Sequence, residues 1–290
     1  MDAIPFVSVI APAYNAKADI RHLVESLLKI DYPKDRLEII VVDNGSTDDT
    51  VKILREYPLQ LLEEKEIQSS YAARNRAVVK AKGEVLAFTD SDCRVTPSWV
   101  KEGVRALEMA DLAAGKIEFF YSTERGTAAE LFDSLQHMQN DDLVNKFSGA
   151  ATANLFVKAP VFKSVGLFRE DVRSGGDMLW TTKTTSSGFK IVYTPDAVVK
   201  HPTRRLGELL RKAFRLGTGH FELAMQQGKP VGGIMIEAIR SLLPPRMAPV
   251  QEKIAAKNPA LSSRVLGVWW VAYLYRAARG LGLIWRMLSR

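Results

Sequence analysis

The stretch V85-L-A-F-T-D-S-D-C-R-V95 decides how this chain is read. An apolar run, Val85 to Phe88, leads to Thr89 and then to two carboxylates one residue apart, Asp90 and Asp92. If the strand continues through them, i and i+2 point to the same side, so the two acids face one another and repel. One resolution is a helix N-cap, because Thr96-Pro97-Ser98 follows and Asp caps well. Capping engages a single carboxylate. The other resolution is a hard divalent cation bound through oxygen, with substrate phosphates completing its shell. On these residues alone both readings stand.

Outward from this point, strands and helices alternate. Phe6–Pro12 (FVSVIAP) reads as a buried strand stopped by proline, and Ala16–Ile30 carries Ile20, Leu23, Val24, Leu27 and Leu28 at helical spacing. Leu37–Asp43 (LEIIVVD) is almost continuously apolar, as a strand buried on both faces of a parallel sheet is. The turn NGSTDDT follows, with Ser46 as expected N-cap of a helix to about Tyr57; a short strand near Leu59–Leu62 and a helix over Ser69–Lys82 lead back to the opening strand. This alternation predicts a doubly wound, mostly parallel α/β sheet. Ligands of such sheets bind at the carboxyl ends of the strands. There the three strands carry Tyr14-Asn15, Asp43-Asn44 and Asp90-Ser91-Asp92, which predicts one shared cleft. The chain has no G-x-G-x-x-G after its first strand and no G-x-x-x-x-G-K-[ST], so dinucleotide oxidoreductases and P-loop enzymes are disfavoured. Further on, Thr127–Lys146 reads as one helix, Ser148–Phe168 as a strand turning into a short helix at Pro160, Ser174–Phe189 as a Gly-rich turn feeding a helix, and Lys190–His201 as a strand.

The 290 residues allow one large domain or two smaller ones, and 47% hydrophobic with 25% charged residues suits a globular core. Cys93 is the only cysteine, which excludes an internal disulfide and a cysteine zinc cluster and suits a reducing, cytoplasmic setting; its expected role is a small buried filler. The N-terminus has no basic region followed by an apolar run, so no signal peptide is expected, and no apolar stretch reaches the roughly 18 residues of a spanning helix. The net charge of +7 is uneven: Met1–Lys200 has 25 basic and 29 acidic residues, and His201–Arg290 has 15 basic and 4 acidic. The partner of the second region is expected to be anionic.

The segments VSVIAPAYN, EIIVVDNGSTDDT, AARNRAVVKAKGEVLAFTDSD, NLFVKAPVFKSVGLF and GGDMLW, in this order and spacing, resemble the inverting family 2 glycosyltransferases of GT-A fold. The resemblance covers about Phe6 to His201. It implies that Pro12, Ala13, Tyr14 and Asn15 border the nucleotide base and that Asp43 hydrogen-bonds it, with Asn44, Gly45 and Ser46 in the following turn. It implies that Arg74 and Asn75 lie beside the nucleotide and that Asp90-Ser91-Asp92 is the D-x-D motif, whose acids hold Mn²⁺ or Mg²⁺ on the donor diphosphate. A bound metal would stabilise the charge that develops on the leaving phosphate. His201 is a further candidate ligand, as some relatives use histidine at such a place; the alternative is a surface histidine before Pro202. Asp177 matches the general base, with a helix N-cap as the plain alternative. The family usually has Glu before this Asp, whereas this chain has Gly176, so the acceptor side departs from the pattern there; Trp180 is a candidate to pack on the acceptor sugar, with a core aromatic as the plain alternative. Ala77, where glycine is frequent, departs as well.

The last region is basic and aromatic. Arg204–Arg215 carries Leu206, Leu209, Leu210, Ala213 and Phe214 in one helical stripe. Arg264–Arg290 has no acid and sets Trp269, Trp270, Tyr273, Tyr275 and Trp285 beside Arg276, Arg279, Arg286 and Arg290. Such a helix suits an anionic membrane surface; a core helix or a dimer seam is the alternative, and nothing resembling a nucleic-acid module accompanies it. The expected organisation is a GT-A catalytic domain over 1–203, with a nucleotide half to about 95 and an acceptor half to 203, and a helical basic region over 204–290. The expected function is metal-dependent, inverting transfer of a sugar from a nucleotide-diphosphate sugar, UDP-linked first, to a sugar or lipid-linked acceptor, peripheral on the cytoplasmic membrane face. The competing readings are a sugar-1-phosphate nucleotidyltransferase, which would need a Gly-rich basic loop after the first strand, and a non-catalytic nucleotide-sugar-binding protein.

Overall fold

A computed structural model describes residues 4–172, 174–257 and 259–289. In chain order its main elements are β1 (Val7–Ala13), α1 (Ile20–Leu28), β2 (Leu37–Asp43), α2 (Thr50–Leu54), β3 (Gln60–Glu63), α3 (Ser70–Lys80), β4 (Val85–Thr89), β5 (Arg94–Val95) and α4 (Trp99–Ala106). There follow β6 (Leu112–Phe120), α5 (Ala128–Gln136), α6 (Asn140–Phe147), β7 (Asn154–Lys158), α7 (Pro160–Val165), α8 (Gly176–Ser186) and β8 (Ile191–Pro202). The chain ends in α9 (Leu206–Gln226), α10 (Val231–Ser241), α11 (Ala248–Lys257) and α12 (Val265–Leu288). Two compact units result: Met1–Phe119 with Met138–Pro202, and Phe120–His137 with Thr203–Arg290.

The first unit is an eight-stranded sheet in the order β3-β2-β1-β4-β7-β6-β8-β5. β3, β2, β1 and β4 are parallel; β7 is antiparallel to β4 and β6, and β5 to β8. The parallel character expected from the alternation thus belongs to the first four strands in the chain. The continuous apolar runs have a direct cause, because each strand feeds two cores with alternate residues. Val7, Val9, Ala11 and Ala13 pack with Ile20, Leu23, Val24 and Leu27 of α1 and with Trp99. Ile10, Ile40, Val42, Leu86 and Phe88 pack on the other face with Tyr71 and Ala73 of α3 and with Phe162 and Trp180. Burying one such Leu, Ile or Phe is worth about 1.5–3 kcal/mol, so the two faces hold the strand ends in fixed register.

Two local expectations change. The single helix expected over Thr127–Lys146 is broken between α5 and α6, where Met138 takes a left-handed φ of 49°. The break is also where the chain passes from the second unit back to the first. Ser46 does not cap α2, which begins only at Thr50 with Asp49 before it; Ser46 closes the preceding turn instead.

The second unit is helical. Val268, Val271 and Ala272 of α12 join Leu131, Phe132 and Leu209 in one cluster, and Leu283 joins Phe221, Ala224, Ile234 and Ala238 in another. Close backbone approach between α9 and α12 requires glycine: a Cβ on Gly282 would stand 2.2 Å from the Phe214 carbonyl oxygen, and one on Gly217 2.1 Å from that of Arg279. One face of α12 is therefore core, as the alternative reading of the tail had it. Its arginines are engaged within the unit, Arg279 with Glu237, Arg286 with Glu222 and Arg276 with the Arg240 carbonyl. No helix of the described residues is long and apolar enough to cross a membrane.

Candidate active site

The ends of β1 and β2 come first. Parallel pairing sets Pro12 beside Val42 and Ala13 beside Asp43, so the Tyr14-Asn15 turn and the Asn44-Gly45-Ser46 turn emerge together. They are tied: the Asn15 N–H donates to Ser46 Oγ at 2.9 Å, and the Thr47 N–H donates to Asn15 Oδ1 at 2.8 Å. Asp43 is 2% exposed, and its carboxylate accepts from the N–H groups of Gly45 and Ser46 at 3.1 Å each. Asn44 donates to the carbonyls of Glu64 and Ile67, which holds the loop after β3. Tyr14, Asn15 and Thr47 are the exposed members of the group.

The two acids of the opening stretch do not face one another. β4 ends at Thr89, and Asp90, Ser91 and Asp92 form a turn closed by the Cys93 N–H on the Asp90 carbonyl at 3.1 Å. The period-two rule stops applying where the strand stops, so the carboxylates diverge. Asp90 pairs with Arg74 of α3, which is 4% exposed. Arg74 also donates from Nη1 to the Ser70 carbonyl at 3.4 Å, while its buried Nε has no partner among the described residues. Asp92 instead meets His201, from the end of β8, with Oδ1 3.5 Å from Nε2.

His201 is 1% exposed, so the surface-histidine alternative falls away. Its Nδ1 lies 2.6 Å from the Pro202 carbonyl oxygen. A carbonyl can only accept, so Nδ1 carries a proton, and in the neutral tautomer that has it the Nε2 lone pair would point toward Asp92. In that tautomer Asp92 Oδ1 and His201 Nε2 would be a suitable pair of ligands for a divalent cation. A carboxylate with an imidazole fits Mn²⁺, which takes oxygen and nitrogen, better than Mg²⁺. Cys93 Sγ belongs to the same cluster, whose ligand atoms lie within 4.8 Å of one another. Cys93 is fully buried, and burial followed by the charges of Asp92 and Asp90 pushes its thiol well up, which keeps it the expected filler.

Asp177 stands in the first turn of α8, where the helix dipole favours a carboxylate. The residue flanking the helix is Gly175, so Asp177 is not its N-cap. Oδ1 accepts from Tyr71 Oη at 3.2 Å and from the Met178 N–H at 3.0 Å; Oδ2 accepts from the Thr152 N–H at 3.4 Å. Burial, and then the charge of Asp177, pushes the Tyr71 hydroxyl far up, so it stays a donor. Gly176 has a steric cause: a Cβ there would be 2.8 Å from the Tyr71 ring.

Two sequence assignments are corrected. Trp180 is 3% exposed, stacks on Phe162 with ring centroids 4.4 Å apart, and donates its Nε1 proton to the Gly166 carbonyl; it is a core residue and offers no face to an acceptor. Asn75 is buried with both amide hydrogens on Phe168 O and Glu170 Oε1 and its oxygen on the Phe168 N–H, so it anchors the loop after α7. Sequence reasoning missed Tyr71 and Asn154. Asn154 is fully buried, accepts from Trp99 Nε1 and donates to the carbonyls of Lys116 and Ala197, locking neighbouring strands of the antiparallel half. A tyrosine opposite a glycine 105 positions away and an asparagine inside a strand leave no local pattern to read.

The profile of the family "Glycosyl transferase family 2" matches residues 8–161, just over half of the chain. The chain belongs to glycosyltransferase family 2. The transferase is 41% identical over 229 residues to Glycosyltransferase AglE of Haloferax volcanii, covering 77% of this chain and 75% of the relative. Among solved structures it resembles the mannosyltransferase PcManGT of Pyrobaculum calidifontis in complex with GDP-Man and Mn²⁺, with a TM-score of 0.58 and 20% identity, over 99% of this chain and 76% of that one. It also resembles residues 1–349 of Staphylococcus aureus TarS in complex with UDP-GlcNAc, with a TM-score of 0.56 and 18% identity, over 98% and 92% of the two chains. At these identities the likeness establishes the fold of the transferase, a GT-A sheet with helices after it, and the family establishes that it is a glycosyltransferase.

Proposed function

We propose that the enzyme is a metal-dependent, inverting transferase that moves a sugar from a nucleoside-diphosphate sugar to a hydroxyl of a sugar or lipid-linked acceptor. The observation that carries this reading is the convergence at the strand ends of Asp92 with a buried His201, of Asp90 with Arg74, and of a separately held Asp177. Donor complexes of the two solved relatives, one with GDP-Man and Mn²⁺ and one with UDP-GlcNAc, support the substrate class. In this reading the turns at Pro12–Asn15 and Asp43–Ser46 receive the nucleoside. Arg74, whose Nε has no partner among the described residues, faces the diphosphate. Asp92 and His201 would hold the divalent ion, which would supply positive charge to the leaving diphosphate. Asp177 takes the proton of the acceptor hydroxyl as that oxygen bonds to the anomeric carbon. The carbon–oxygen bond to the diphosphate breaks on the opposite face and its electron pair leaves with the nucleoside diphosphate, so configuration inverts in one displacement.

The helical unit carries the second part of the reading, attachment to an anionic leaflet. It holds sixteen Lys and Arg against seven Asp and Glu, a net of +9. The outward face of α12 presents Leu266, Trp270, Leu274, Leu281, Trp285 and Leu288 to solvent, and α10 adds Ile236 and Ile239. Apolar side chains on a basic unit are what a headgroup boundary binds, at about 1 kcal/mol for each basic residue near the surface. The attaching group is thus an assembled face of the unit, with the α12 arginines largely in internal pairs.

The decisive experiment is a screen of nucleotide sugars for thermal stabilisation, with and without Mn²⁺, followed by turnover of those that bind. A donor at 100 times its dissociation constant adds ~2.7 kcal/mol of stability. Metal-independent binding and turnover would overturn the metal assignment, and a product with retained anomeric configuration would overturn the single displacement.

A further inference from the structure

α3 carries two polar side chains into the site from one turn, Tyr71 and Arg74, three residues apart and hence on the same face of the helix. Arg74 goes to Asp90. Tyr71 goes to Asp177, and the guanidinium carbon of Arg74 lies 5.6 Å from the centre of the Tyr71 ring. Tyr71 is buried, its ring set against Phe168 and over Gly176, where any side chain would displace it. We propose that Tyr71 is a positioning residue for the Asp177 base, that its hydroxyl fixes Oδ1 so that Oδ2 faces the acceptor, and that Gly176 exists to admit its ring.

The assignment rests on the base role of Asp177 proposed above. Its geometry is specific. Among the described residues, Oδ1 is occupied by two donors, the Tyr71 hydroxyl and the Met178 N–H, whereas Oδ2 has only the long contact from Thr152. Oδ2 is thus the oxygen left for a proton. A rotation of the carboxylate would exchange the two oxygens, and Tyr71 is the side chain that resists it. Arg74 is the charged group that acts on Tyr71 beside Asp177. In addition, the same turn of α3 holds Asp90, so a displacement of α3 on the donor side would reach the base.

The test is Mn²⁺-supported turnover, in the full-length protein, of whichever donor the stabilisation screen selects. Tyr71→Phe, which keeps the ring, lowers kcat about 5–10-fold, the scale of one hydrogen bond, with an unchanged KM for donor and an unchanged Tm. An unchanged kcat overturns the proposal, and so does a kcat that falls only in step with Tm, as a purely packing role would give. Gly176→Ala reproduces the loss in the natural chain and adds little to Tyr71→Ala; independent, multiplying losses count against the proposal. If Asp177→Asn turns over normally, the base reading itself fails. If Asp177→Asn is inactive while Tyr71→Phe keeps the natural kcat, only the Tyr71 assignment fails.

Discussion

The sheet unit and the helical unit treat their polar and apolar groups in opposite ways. In the sheet unit, polar groups at the strand ends meet one another across elements: the Asn15 N–H on Ser46, Arg74 on Asp90, Tyr71 on Asp177, and Asp92 opposite His201. Of the twenty large apolar side chains exposed among the described residues, only seven lie in this larger unit and thirteen in the helical one. The sheet unit has hidden its apolar surface and invested its polar groups in a site. The helical unit leaves apolar surface in contact with water and carries the excess positive charge. A site that needs fixed distances is built on a sheet with two covered faces, and a surface that needs only area and charge is built on helices with one face free.

This contrast can be broken most sharply at the base. Asp177→Asn is expected to lower kcat by ~10²–10⁴, with nucleotide affinity intact by calorimetric titration. A parallel loss of nucleotide binding would mean that the site is one undivided network. Asp92→Ala and His201→Ala are expected to weaken Mn²⁺-dependent nucleotide binding by more than the ~10–100-fold that loss of an outer-shell partner costs. Equal binding with and without Mn²⁺ in the natural chain would remove the reason for that pair.

In the helical unit the expected effects are on stability and surface binding. Gly282→Val should cost about 1–3 kcal/mol or more and lower Tm, because the new Cβ meets the Phe214 carbonyl where no side chain can yield. Acid should loosen this unit as well. Burial raises the Asp133 carboxyl, but the bond to His137 and the charge of Arg204 outweigh it and set it at about 2; backbone N–H groups of Ser122 and Thr127 do the same for Glu130. Carboxyls held below their ordinary values stabilise the fold above those values, and the stability is lost as pH falls. Thermal melts should therefore decline between about pH 4.5 and pH 2. The smallest expected change in the folded protein is for Trp270→Ser with Trp285→Ser. Both residues are exposed, so Tm should move little while flotation with anionic liposomes falls, and salt should weaken what remains. Undiminished flotation would assign this face to another partner.

The legible parts of the molecule are those with a local cause. β1, β2 and β4 could be read from continuous apolar runs because both faces are covered, and α1 from Ile20, Leu23, Val24 and Leu27 because one face is. The breaks at Met138 and before Thr50 were not legible, because backbone direction there follows from tertiary packing rather than from a Gly or Pro signal.

The sequence by itself determined the alternation of strand and helix, the polar residues that close each strand, and the concentration of charge and aromatic residues in the last ninety residues. These are matters of order and spacing along the chain. Only the tertiary structure decided that Asp90 and Asp92 part company, one to Arg74 and one to His201, that Trp180 is core, and that Tyr71 occupies the room left by Gly176. It also decided that α12 is half core and half outward face. The physical reason is the same each time: a side chain's partner is set by which elements meet in space, and residues 105 or 109 positions apart, such as Tyr71 and Gly176 or Asp92 and His201, meet only once the sheet has closed its register.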